Sequence, residues 1–503
     1  MNNPLYDNLF GVHLEKDAPF IYLLDGQIIT YRKFLAKSGR IANTFAEIGL
    51  KPGDCVAIQV EKSPEMLNIY AACAQAGLVF LPLNPSYTVD ELKYFIENSE
   101  ARLIICDEKN KEDLAVIAQK LGVLIETLNS NSTGSIIDKA NSAPEYFKTV
   151  ARSKNDLAAL LYTSGTTGKS KGAMLTQANL LSNGNTLMYE WQFSKNDVLL
   201  HALPLFHTHG LFVATNVMLA AGGSMVFLPK FNLDEIIKNL PKCSAMMGVP
   251  TFYTRLLADD RFNKNLVDHM RLFVSGSAPL LSETHIQFEK ITGHRILERY
   301  GMTETNMNTS NPYYGERRAG TVGKPLPGVE VKITEPKTGK TLSNNEIGQI
   351  EVRGPNVFVG YWNLPDKTKA ELRKNGFFIT GDLGKIDNDG YVHIVGRDKD
   401  LIISGGYNIY PKEIEIFIDS QKGIFESAVI GVPHPDFGET PIAIIVATKE
   451  VQPNLSDIEK DITNVLARYK HPKKIILVNE LPRNSMGKVQ KNILRKRYEL
   501  LFK

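Results

Sequence analysis

The sequence predicts an α/β protein: a large amino-terminal domain of doubly wound, mostly parallel sheets plus a β-rich subdomain, then a small α+β domain. Three observations carry this. Over residues 28–150 short apolar runs alternate with amphipathic helix-period segments, the pattern of parallel strands joined by crossover helices. From Gly328 onward apolar and polar residues alternate, as in Val329-Glu-Val-Lys-Ile, which marks half-buried strands. Gly396-Arg-Asp-Lys-Asp-Leu-Ile-Ile-Ser-Gly-Gly406 is charged, then apolar, then glycine-rich, as at a domain boundary. The chain of 503 residues is too long for one core. We place the large domain at 1–396, its β-rich subdomain at about 325–396, and the small domain at 397–503.

In chain order, 31–48 reads as a helix, 55–60 as a strand, 63–76 as a helix opened by Ser63-Pro-Glu, and 78–83 as a strand. A helix at 88–98 and a strand at 101–106 follow, whereas 125–150 is polar and reads as loop. Leu157-Ala-Ala-Leu-Leu-Tyr162 is a strand, and Thr176 opens a helix. Leu272-Phe-Val-Ser-Gly-Ser-Ala-Pro279 is a strand ending in a tight turn. Ile296-Leu-Glu-Arg-Tyr-Gly-Met-Thr-Glu-Thr305 is another strand, with its polar residues at the carboxyl end, where doubly wound sheets bind ligands. Asp387-Asn-Asp-Gly390 reads as a hairpin turn, because Lys385 and Gly396 stand where a calcium loop needs ligands. The small domain shows a helix at 411–421, strands at 425–432 and 442–448, and a helix at 456–466.

Composition excludes several classes. A net charge of +3 is too mild for a nucleic-acid partner. No apolar run reaches the roughly 18–20 residues of a membrane span. The start has no secretory or mitochondrial pattern and the end no peroxisomal tripeptide, so a cytoplasmic location is expected. Cys55, Cys73, Cys106 and Cys243 are far apart in apolar contexts and read as reduced core residues. In Leu203-Pro-Leu-Phe-His-Thr-His-Gly210 two histidines lack a third ligand nearby, which argues against a metal there. Nothing in the sequence sets the oligomeric state.

The densest chemistry is Tyr162-Thr-Ser-Gly-Thr-Thr-Gly-Lys-Ser-Lys-Gly172. Glycines let backbone N–H groups turn toward an anion, hydroxyls add donors and lysines add charge. The loop is not of the Walker type, since Thr163 stands five places before Gly168. It resembles the signature of the adenylate-forming superfamily, which includes acyl-CoA synthetases, luciferases and peptide-synthetase adenylation domains. The resemblance covers nearly the whole chain. It implies that Thr163, Ser164, Gly165, Thr166, Thr167, Gly168 and Lys171 hold ATP phosphates, and that Ser277, Ala278, Pro279, Tyr300, Gly301 and Met302 line the adenine. It further implies that Asp382, in Phe378-Ile-Thr-Gly-Asp382, and Arg397 hold the ribose, that Thr303 meets phosphate, and that Glu304 holds Mg²⁺. Lys399 matches the hinge of a domain rotation, Gly405 and Gly406 the CoA channel, and Lys488, in Asn484-Ser-Met-Gly-Lys488, the terminal catalytic lysine.

Within the superfamily the chain is most similar to malonyl-CoA synthetases, through Glu298-Arg-Tyr-Gly-Met-Thr-Glu-Thr-Asn-Met-Asn-Thr-Ser-Asn-Pro312 and Pro250-Thr-Phe-Tyr-Thr-Arg255. The resemblance implies malonate, ATP and CoA as substrates. A dicarboxylate leaves one carboxylate unreacted in the pocket, so a cation must meet it. Arg299 and Arg255 are the candidates, with Ser277 and His207 as hydrogen-bonding groups and Thr208 and Met302 limiting the α-substituent. The sequence leaves open methylmalonate, a monocarboxylate-specific acyl-CoA synthetase, a carrier-loading module and a catalytically silent scaffold of the same fold.

Overall fold

In the computed structural model, residues 2–163, 170–405, 407–448, 451–484 and 487–502 are described. Two large sheets form the body. One orders Leu124–Thr127, Leu103–Cys106, Cys55–Gln59, Val79–Pro82, Leu157–Thr163 and Lys171–Thr176 from edge to edge. Its pairings are parallel except the last. The other orders Lys324–Pro325, Asn306–Ser310, Leu297–Met302, Leu272–Ser275, Ala245–Gly248, Val198–His201, Ser224–Phe227, Pro19–Tyr22 and Ile28–Thr30. Its central pairings are parallel and its edges antiparallel. This is the doubly wound body that the sequence predicts.

Local sequence explains the entry of three crossover helices. Ser63 accepts the Met66 N–H ahead of Pro64–Ala76. Thr88 and Glu91 form a reciprocal capping box ahead of Val89–Asn98, and Thr176 and Asn179 do the same ahead of Gln177–Glu190. Each satisfies donors that a helix start leaves orphaned.

One expectation is corrected. The polar stretch 125–150 is not all loop: it completes the strand Leu124–Thr127 and forms the helix Ser135–Ser142. Ile136, Ile137 and Ala140 give that helix a narrow buried face, enough for an element at a sheet edge. Ahead of the helix that Thr176 opens, the chain adds a strand that the sequence does not mark. Lys171–Thr176 first pairs antiparallel with Leu157–Thr163, setting Lys171 opposite Thr163.

Four antiparallel strands, Glu330–Thr334, Gly348–Arg353, Phe378–Ile386 and Val392–Arg397, make the β-rich layer. Beyond it, Ile402–Ser404, Tyr407–Ile409, Ile424–His434, Gly438–Ala447 and Ile475–Val478 form a separate five-stranded sheet. The buried apolar clusters divide at the same place: two draw on residues up to Val392, and two on residues from Ile402 onward. All four cysteines are buried and free. Among the described residues no helix is long and apolar enough to cross a membrane, and no group of His, Cys, Asp and Glu is arranged to hold a metal by itself.

Candidate active site

The residues singled out above converge at the carboxyl ends of strands. Thr163 ends Leu157–Thr163, Ser277 follows Leu272–Ser275, and Tyr300, Gly301 and Met302 close Leu297–Met302. Ser164, Gly165, Thr166, Thr167 and Gly168 lie outside the described residues, as does Gly406. Ser277 adopts a left-handed φ of 72°, which turns the chain sharply before half-buried Ala278 and exposed Pro279. Gly301 is needed where it stands, since a Cβ there would lie 1.9 Å from the Asn306 carbonyl oxygen.

Tyr300, Asp382 and Arg397 form one unit. The buried Tyr300 hydroxyl donates to Asp382 Oδ2 at 2.5 Å, and Arg397 Nε pairs with Asp382 Oδ1 at 2.6 Å. Asp382 and Arg397 are register partners on adjacent strands, so the ion pair is set by the sheet. The expectation gave Tyr300 only a ring face; its hydroxyl also fixes the carboxylate.

Glu304 is buried, and burial raises its carboxyl pKa. Its Oε1 accepts the Tyr361 hydroxyl at 3.0 Å, and it makes no ion pair among the described residues. A buried carboxylate short of cations fits a hard divalent ion. Thr303 lies half-buried beside it.

Arg299 is a buried charge with no ion-pair partner among the described residues. It is 4% exposed, and its Nε and Nη2 have no hydrogen-bond partner among the described residues. Burial pushes its pKa down to about 9, so it remains a cation at neutral pH. Gly276 makes room for it, because a Cβ there would sit 2.4 Å from the guanidinium carbon. Arg299 is close enough to His207 and His209 to depress both imidazoles further, after burial has done most of the work; His207 falls to about 4. His209 is 1% exposed, with Nδ1 on the Ser277 hydroxyl at 3.2 Å and Nε2 unpartnered. Thr208 is 2% exposed, and its hydroxyl is also unpartnered among the described residues. Four orphaned polar atoms in a buried cluster are costly unless a ligand meets them.

Arg255 is not part of this cluster. It is exposed, stacks over the Phe231 ring at 5.3 Å, and lines a cavity of about 540 Å³ with Lys62, Lys230, Phe252 and Gly487. The helix Pro250–Leu257 buries Phe252, Tyr253 and Leu256, which turns Arg255 outward. The same cavity reaches Phe206, beside His207, and Asn484 and Gly487, in the turn that carries Lys488, so Arg255 stays a candidate for the substrate side.

Lys488 comes from the small domain to this site. The residue keeps solvent-exposed surface, yet burial of its ammonium, then Arg397 and Lys399, push its pKa down to about 8 against the pull of Asp382 and Asp400. Its charge also reaches His207. Lys399 sits in the turn Asp398–Asp400, between Arg397, paired to Asp382, and Asp400, paired to Arg495 of the terminal helix Lys491–Tyr498. Gly405 has φ 55° and lies 3.5 Å, at a would-be Cβ, from Phe437. His209, Tyr361 and Glu371 are site residues that sequence reasoning did not place. His209 could have been found from the His-Thr-His triplet; the other two carry no local signal.

Strand-end residues of the body, the Tyr300–Asp382–Arg397 unit and a lysine from the carboxy-terminal unit meet here, the arrangement expected of an ATP-dependent adenylating enzyme. Comparison with known proteins agrees. The model of the AMP-binding enzymes matches residues 12–362, and that of the AMP-binding enzyme C-terminal domain matches 413–488. A malonate–CoA ligase of Arabidopsis thaliana is 35% identical over 94% of this chain and 85% of its own. Crystal structures of MatB from Rhodopseudomonas palustris are 54% identical and cover all of both chains, with TM-scores of 0.98 for the ATP-bound form and 0.87 for the apo form. The chain belongs to the AMP-binding enzyme family.

Proposed function

We propose that this enzyme activates malonate with ATP and transfers the malonyl group to coenzyme A. The single observation that carries the substrate is Arg299, a buried guanidinium whose two unpartnered nitrogens form a fork, near enough to His209 to act on its imidazole. A carboxylate matches that fork. Similarity to malonate–CoA ligase and MatB supports the same reading.

In the first step one malonate carboxylate attacks the α-phosphorus, the bond to the β-phosphate bridging oxygen breaks, and pyrophosphate leaves. Asp382 holds the ribose once Tyr300 and Arg397 have fixed its orientation. Lys488 offers an ammonium to the charge that develops on the phosphates. Glu304 would hold Mg²⁺, which when bound neutralises phosphate charge. In the second step the CoA thiol attacks the acyl carbonyl and AMP departs, with the loop at Gly405 and Gly406 leaving room for pantetheine.

Lys488 would crowd the thiol route, so the unit at 397–503 is proposed to rotate between steps about Lys399. Proline at 399 fixes φ and disfavours the helical turn at Asp398. Lys399→Pro should accumulate acyl-adenylate without CoA transfer; normal overall turnover would remove the hinge.

The direct test mixes enzyme, ATP, Mg²⁺ and malonate. Pyrophosphate without CoA, and AMP with malonyl-CoA after CoA is added, are expected. Formation of ADP and phosphate would overturn the reading.

A further inference from the structure

The helix Pro365–Glu371 contributes a carboxylate that the mechanism above does not use. The Tyr361 hydroxyl, with one hydrogen to donate, lies 3.0 Å from Glu304 Oε1 and 2.7 Å from Glu371 Oε2, so a single phenol oxygen stands between two carboxyl groups. Glu371 Oε2 also faces Lys171 Nζ at 3.5 Å, and Oε1 faces Lys367 at 2.7 Å. Lys171 in turn lies over the Tyr361 ring, 4.2 Å from its centroid. The contact from Glu371 to Lys171 is the looser of its two ion pairs. Lys171 can therefore turn away without stranding the carboxylate, which keeps Lys367 and Tyr361.

The consequence is electrostatic. A triphosphate that draws Lys171 toward itself leaves Glu371 with half-exposed Lys367, and Glu304 with the field of Arg397, which is itself paired to Asp382. Two carboxylates at such range oppose a tetra-anion strongly in a partly buried site. A nucleotide arriving with its divalent ion brings the charge that offsets them. Glu304 belongs to the metal's own position; Glu371 does not, because Tyr361 stands between them.

We propose that Glu371 is a positioning residue that makes the site discriminate against metal-free ATP, acting through Lys171 and Tyr361. This rests on the adenylating function proposed above and deepens it.

The test is calorimetric binding of ATP to the whole enzyme, with Mg²⁺ and in excess chelator, in the absence of malonate and CoA. Glu371→Gln keeps an acceptor for Tyr361 and removes the charge. It should tighten metal-free ATP by about tenfold and leave Mg-ATP within about twofold. Glu371→Asp should keep the wild-type ratio of the two affinities. Lys367→Gln, on the exposed side of the helix, strips Glu371 of its tight partner and should weaken metal-free ATP further. Equal changes in both nucleotide forms, weaker metal-free binding in Glu371→Gln, or Glu371→Asp behaving like Glu371→Gln would each overturn the proposal. Should wild-type enzyme bind neither form, the adenylating function itself fails; normal binding with an unaltered ratio in Glu371→Gln removes only the role of Glu371.

Discussion

Arg299→Ala should raise KM for malonate sharply and narrow the advantage of malonate over propionate by two orders of magnitude or more. Losing one partner of a buried charge pair costs roughly 3–5 kcal/mol. The free enzyme should respond in the opposite sense. Arg299 is buried with two unpartnered nitrogens among the described residues, so its removal relieves an uncompensated cation before substrate arrives. The melting temperature of ligand-free Arg299→Ala is therefore expected to equal or exceed the wild type, while the rise on adding malonate disappears. Arg299→Lys supplies a point charge without the fork and should recover only part of the malonate preference. A destabilised free protein with an unchanged preference would make Arg299 a structural residue.

The second large effect belongs to Lys488. Lys488→Ala should slow pyrophosphate release by on the order of 10²–10³. Thioester formation from supplied malonyl-adenylate should stay near wild type, because the lysine serves the phosphates and not the thiol. Equal loss in both half-reactions would contradict alternation between steps. The same ammonium sets a pH limit. Its pKa is lowered to about 8, so it is charged below that value and loses its proton as pH rises through it. Adenylation should fall across that window while the CoA half-reaction, assayed from malonyl-adenylate, does not follow the same curve. The fall should be absent from what activity remains in Lys488→Ala.

Much of this was legible from residue order, for identifiable reasons. Strong periodicity and capping residues such as Ser63, Thr88 and Thr176 mark helices locally, and strands with polar residues at their carboxyl ends mark the site. Arg299 was legible because it sits next to Tyr300 on such a strand. The orientation of Arg255 was not legible because its motif gives no phase; only the burial of Phe252, Tyr253 and Leu256 shows which face of that helix turns inward. The strand Lys171–Thr176 was hidden because its first two residues look like more of the glycine- and lysine-rich loop. The helix Ser135–Ser142 was hidden by the polar residues on its exposed side. Glu371 was beyond reach for another reason. It lies 200 residues from Lys171 and meets it only because Gly172 and Trp362 bring two remote segments together.

The central claim is that a second carboxylate of the substrate has a dedicated cation in the site. Pyrophosphate release by the wild-type enzyme, measured as kcat/KM for malonate and for propionate with ATP and Mg²⁺, tests it most directly. The account predicts a malonate preference of at least two orders of magnitude, the worth of a buried charge pair. Equal values for the two acids would contradict it, since the Arg299 fork would then recognise nothing.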